Sequence, residues 1–113
     1  MKTIGLVMLC MASLIGSLAH AETRVTGKVL QVRVDSSGLG FIRFDVPRGH
    51  APAACGDSHN YHLAFNTNTN GGKGILSLAL TARSTGQTLV AIGSGECSGY
   101  NVVENWSWGY VQD

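Results

Sequence analysis

The chain has 113 residues, eight Lys and Arg against seven Asp and Glu, a formal charge of +1, and three cysteines. A chain so close to neutral, with no basic run, lacks the electrostatic footprint that phosphate backbones and anionic membrane surfaces require, which excludes nucleic acid as a main partner. The length supports one small domain with a modest core.

The first residues, "MKTIGLVMLCMASLIGSLAHA", carry Lys2, an uncharged apolar run from about Ile4 to Leu18, and then Ala19-His20-Ala21. A charged start, a short apolar stretch and a small-x-small site predict a secretory signal peptide cleaved near Ala21, too short for a membrane span. The alternative is a buried N-terminal helix. Cys10 follows the large Leu9 inside the apolar run and does not read as a lipoprotein cysteine. Residues 22–113 are then a single soluble domain, secreted or periplasmic. Without Lys2 its seven basic residues balance seven acidic ones. Cys55 and Cys97 remain, and in an oxidising compartment one disulfide is the simplest expectation. Closing a loop of about 42 residues contributes roughly 4 kcal/mol on the chain-entropy estimate. Neither cysteine has a second ligand at metal spacing, so no metal or other cofactor is expected.

"RVTGKVLQVRVD" is β-rich, with Val25, Gly27 and Val29 on odd positions and Leu30, Val32 and Val34 on even ones. A phase change in a period-2 pattern predicts a bulge or bend that lets the two halves face the core from different sheets. "SSGLG" is a turn, and "FIRFDV" alternates with Ile42, Phe44 and Val46 inward. Residues 47–60, with two prolines, read as a loop pinned at Cys55, and "YHLAFN" (61–66) reads as a third strand. A helix over 70–84 follows, with Thr69 as N-cap and Gly86 beyond its end. Ile75, Leu76, Ala79, Leu80 and Ala82 face the core, and Leu78, Ser77 and Thr81 point elsewhere. Glycines 71, 72 and 74 weaken its first turn, so regular helix is expected from Lys73. "QTLVAIGSG" is a fourth strand, "GECSGYN" a turn carrying Cys97, and "VVENWSWGYVQ" (102–112) a fifth strand.

The order β-β-β-α-β-β, with a coiled first strand, is that of the five-stranded OB-fold barrel, whose helix lies between strands three and four. A helix-on-sheet layer or another small closed barrel is the alternative. The stretch Ala54-Cys55, the helix over 70–84, Thr85-Gly86-Gln87 and the strand Thr88–Ile92 resembles the B subunits of AB-type bacterial toxins, nearest the subtilase-cytotoxin and pertussis-like group, over about 40 residues. The resemblance implies a secreted OB-fold, a ring of five copies, a host-cell glycan as ligand and a secreted catalytic subunit as partner. No ligand-contacting residue of that family is carried onto this chain.

"CGDSHNYH" gathers Cys55, Asp57, Ser58 and His59 in one loop, whereas catalytic groups are assembled from different elements with a base oriented by a third group. A polar surface loop is the simpler reading, and no enzyme is expected. His59 and His62 are three apart, but on extended backbone they face opposite sides, a poor metal pair. Sugar sites need a ring to stack on and planar polar groups for hydroxyls. The candidate ligand residues are Tyr61, Tyr100, Asn101, Glu104, Trp106 and Trp108, with Asn105 and Asp57, Ser58, His59 and Asn60 as further polar groups. Aromatics in a strand also serve as core or subunit interface. Trp106, Trp108 and Tyr110 alternate, so an unbroken strand turns all three rings to one face. Asn105-Trp106-Ser107 also matches a glycosylation sequon. A second apolar stripe on the helix suits packing between copies. The reading is a glycan-binding homo-oligomer; its rival is a secreted or periplasmic protein that binds or inhibits a protein partner.

Overall fold

The computed structural model describes residues 22–113; the expected signal peptide, with Cys10, lies outside the described residues. Six strands form, β1 (Arg24–Gly27), β2 (Val29–Val34), β3 (Leu39–Phe44), β4 (His62–Asn66), β5 (Thr88–Gly93) and β6 (Trp106–Gln112), with one helix, α1 (Asn70–Thr85), between β4 and β5. They make two three-stranded antiparallel sheets, ordered β1-β5-β6 and β2-β3-β4. Hydrogen bonding does not close them into one continuous barrel; an isolated parallel bridge, Ala64 to Asn105, joins β4 to the residue before β6.

The expected first strand is two. At Lys28 the chain passes from one sheet to the other, and the pairing with β3 slips between Val29 and Gln31, which leaves Leu30 as a bulge. Val25 and Val29 are buried. Past the bulge only Val32 packs on the core, while Leu30 and Val34 are half exposed, contrary to the simple alternation. Leu30 loses its place in the pleat to the bulge. Val34 sits opposite Gly40, which offers no side chain to pack against. The segment expected as irregular loop contains a 3-10 helix, Ala54–His59, too short for a periodic signature.

Helix α1 begins at Asn70, not Lys73. Thr69 Oγ1 accepts a hydrogen bond from Gly72 N at 2.9 Å, and Gly86 closes the helix in the left-handed region at φ 71°. Of the first-turn glycines, Gly72 has a packing reason: a Cβ there would overlap the Asn66 carbonyl. Ala79 and Ala82 are buried against the sheets, with Ile75, Leu76 and Leu78 beside them. Leu80, expected inward, is 51% exposed, and Leu78 takes the inward place. The helix is therefore rotated from the stripe that the sequence favours, a rotation set by what the sheets leave to be filled.

β6 starts at Trp106, four residues later than expected. Residues 102–105 instead run as loop beside β4, where Ala64 N donates to Glu104 O at 2.8 Å. Pairing of β5 with β6 slips between Ile92 and Gly93, so Gly93 faces Trp106, Ile92 faces Trp108, and Ser107 is extra. That bulge separates the rings. Trp106 joins the core with Phe44, Leu63, Phe65, Leu89 and Ala91, whereas Trp108 and Tyr110 stay on the outer face, 47% and 44% exposed. Gly109 permits it: a Cβ there would overlap the Trp106 indole and the Val90 carbonyl.

Candidate functional site

Two of the sequence-derived candidates are structural. Glu104 is fully buried and pairs with Arg48, also buried. Its Oε1 accepts from the Arg48 guanidinium, from Thr23 Oγ1 at 2.8 Å and from Ala53 N at 2.8 Å, and its Oε2 accepts from Gly95 N at 3.2 Å. A carboxylate with four donors is compensated for leaving water. The node ties the start of β1, the long loop and the turn after β5 together. The Cys55–Cys97 disulfide, whose Cα atoms lie 6.2 Å apart, links the same two loops. Trp106 is the second interior candidate, only 8% exposed.

Tyr100 lies on the outer face of β2-β3-β4 in a cluster that no local sequence pattern connects. Its hydroxyl donates to Asp35, which also accepts from Arg33 Nε at 2.7 Å. The Arg33 guanidinium stands 5.2 Å from the centre of the Phe41 ring, and Phe41 meets Tyr100 edge-on at 6.2 Å. Burial and the Asp35 carboxylate push the Tyr100 phenol up to about 12. The phenol and the guanidinium hold the Asp35 carboxyl below its usual range. These polar groups satisfy one another, which makes the cluster a fastener for the 95–101 turn. Asn101 is exposed on that turn, and Asn105 Nδ2 donates to Ser98 Oγ at 2.5 Å.

Tyr61 is 42% exposed, next to the 3-10 helix that carries Asp57, Ser58 and His59; Asn60 follows it. Ser58 Oγ and His59 Nδ1 are 3.0 Å apart, neighbours in sequence, and no carboxylate joins them among the described residues. Cys55 is taken up in the disulfide. The His62 ring lies 4.9 Å from Phe41 and 5.4 Å from His59, and its Nδ1 is buried without a hydrogen-bond partner. Burial, then the neighbouring His59 and Arg43, lower its pKa. Among the described residues no group of three or more His, Cys, Asp or Glu is placed to hold a metal ion, and no helix is long and apolar enough to cross a membrane.

The open aromatic surface is the outer face of β1-β5-β6. Trp108 and Tyr110 stack with centroids 6.3 Å apart and planes 23° from parallel. Their direct partners on β5 are Ile92 and Val90, whose own partners on β1 are Arg24 and Thr26. Cross-strand partners share a face, so the two rings on β6 and Arg24 and Thr26 on β1 flank Ile92 and Val90, which they cover, in one strip. At its β1 end, Arg24 and Ile92 line a shallow depression with Glu22 and His50. His50 holds a left-handed backbone at φ 64°, uncommon for a residue with a Cβ. Strip and depression together offer flat apolar area beside donors and an acceptor. Of the sequence-derived ligand candidates, Trp108 alone lies on this strip. Tyr110 was legible there as an alternating aromatic; Arg24, Thr26 and His50 carried no local signal.

No family model, no curated protein and no solved structure matches the chain.

Proposed function

We propose that the chain is a secreted, non-catalytic binding protein whose ligand is an extracellular glycan, held on the outer face of β1-β5-β6. The observation that carries this reading is the Trp108–Tyr110 pair: two nearly parallel rings, each half exposed, on a rigid strand rather than a loop. Sugar rings present C–H faces that stack on such surfaces, while Arg24 and Thr26 lie across β5 from the rings, with Glu22 and His50 at the β1 end, to meet hydroxyls.

The finer fold reading is the OB-fold. It is supported by β1 and β2, which follow one another directly and carry the chain from one sheet to the other at Lys28, by the helix between β4 and β5, and by the parallel bridge from Ala64 to Asn105 on the side where a barrel would close. The resemblance to toxin B subunits extends this to a homopentamer that carries a secreted catalytic subunit. The exposed Leu80, on a helix face with Ser77 and Thr81, suits close packing between copies. The rival, a protein-binding or inhibitory role, is favoured by Leu30 and Val34, half exposed on β2.

A glycan array probed with the purified chain and with Trp108→Ala tests the reading. Selective binding that Trp108→Ala abolishes is the expected result. Uniform background for both proteins contradicts it and leaves the protein-partner role. Light scattering on the same sample tests the ring, for which a single-copy mass counts against the pentamer.

A further inference from the structure

Asn70 is followed by Gly71 at the start of α1, the one Asn-Gly pair in the sequence. The side-chain amide carbon of an asparagine lies within reach of the backbone nitrogen of the next residue, and glycine, with no side chain to crowd that nitrogen, is the most permissive successor. The other five asparagines precede tyrosine, threonine, valine or tryptophan, each of which shields its own nitrogen.

The local structure leaves both groups open. Asn70 and Gly71 are exposed, and a Cβ on Gly71 would meet no atom within 4 Å. The Asn70 side chain makes no hydrogen bond among the described residues, whereas those of Asn66, Asn68 and Asn105 are each tied to a neighbour. Thr69 takes up the N–H groups of Gly72 and Lys73 and leaves that of Gly71 without an acceptor.

Regular helix holds the Gly71 nitrogen away from Asn70 Cγ, so a bond between them needs the first turn to open. That turn is the weakest part of α1. Gly71, Gly72 and Gly74 each cost helix stability relative to alanine, no acidic side chain in the turn offsets the helix dipole, and helix ends open locally at little cost. Of the three glycines, packing requires Gly72, whose Cβ would overlap the Asn66 carbonyl, but not Gly71 or Gly74, where a Cβ meets nothing.

We propose that Asn70 is a self-modifying site, which loses its side-chain amide to attack by Gly71 and gives the helix a negative charge as the protein ages. The Gly71 nitrogen gives up its proton and bonds to Asn70 Cγ; the Cγ–Nδ2 bond breaks, and Nδ2 leaves with that proton as ammonia. Water then opens the cyclic imide. Cleavage of the new N–Cγ bond leaves aspartate in an unaltered chain. Cleavage of the original bond between the Asn70 carbonyl carbon and the Gly71 nitrogen routes the backbone through Cγ, as isoaspartate. Water is the sole co-reactant, and nothing is oxidised or reduced. The aspartate carboxylate stands at the first helical position, where it complements the dipole, while isoaspartate lengthens the backbone by a methylene and disrupts the turn. The site is independent of the Trp108 strip and of any glycan bound there.

Peptide mapping by mass spectrometry tests the proposal on the purified protein aged in mildly alkaline buffer, beside the same protein unfolded in urea. In the folded sample the peptide that holds Asn70 should gain one mass unit and split into aspartate and isoaspartate forms before any other asparagine converts. Gly71→Ala, which crowds the attacking nitrogen, should slow conversion in both samples. Gly74→Ala leaves the Asn-Gly pair intact and stiffens the turn; it should slow conversion about fivefold in the folded protein, the helix propensity of alanine over glycine expressed as an equilibrium constant, and leave the rate in urea unchanged. Asn70 intact in the folded protein once the urea sample has converted, earlier conversion of another asparagine, or an unchanged folded-state rate in either glycine variant would each overturn the proposal.

Discussion

Trp106 and Trp108 are two residues apart on one strand and live in opposite surroundings. Trp106 is enclosed by the core, under the loops that the disulfide and the Arg48–Glu104 pair hold down. Trp108 lies in the open beside Tyr110, on the face where no such fastening exists. The single extra residue, Ser107, makes the difference. At one end of the molecule the covalent link, the buried ion pair and the large indole all serve cohesion. On the outer face, aromatic area stands in water with no internal role, the arrangement expected of a surface kept for contact.

The largest way to break this contrast is at the buried pair. Glu104→Ala leaves the Arg48 guanidinium buried and uncompensated, and should cost about 3–5 kcal/mol in chemical denaturation. Replacing both cysteines with serine should cost nearly as much, about 4 kcal/mol on the chain-entropy estimate, as a lowered denaturation midpoint. A smaller effect concerns His62. Its folded pKa lies below its ordinary value, so the unfolded chain takes up more protons as pH falls through 6.5, and stability should drop there. His62→Gln should flatten that slope in thermal unfolding between pH 7 and 5. The smallest effect belongs to Trp108→Ala, which removes a half-exposed ring and should move stability by less than about 1 kcal/mol. A larger loss would assign Trp108 to the core and dissolve the contrast.

Much of the fold was legible. The phase change between Val29 and Leu30 marked the bulge at Leu30, just past the passage between sheets at Lys28, Thr69 and Gly86 bounded the helix within a residue, and two cysteines in a short chain implied their own pairing. The site was less so, for physical reasons. The bulge at Ser107 depends on how β6 meets β5, and nothing within "NWSWGY" announces it except Gly109, whose missing Cβ admits the Trp106 ring. Glu104 read as a polar ligand group because its partner lies 56 residues away, and an isolated charge is ordinarily solvated. Leu78 and Leu80 exchanged places because the helix's rotation follows the shape of the sheets beneath it. The Tyr100 fastener needed Asp35, 65 residues distant, which no local pattern connects to it.

The division of the two tryptophans is most directly measured by quenching the fluorescence of two single-tryptophan variants, Trp106→Phe and Trp108→Phe, with acrylamide, in the absence and presence of the glycan selected on the array. The variant that retains Trp108 should emit at long wavelength, quench readily and become shielded when the glycan is added, while the variant that retains Trp106 should be blue-shifted and poorly quenched in the free protein. Equal quenching of both, or a Trp108 signal that the glycan leaves accessible, would contradict the outer face as the binding surface.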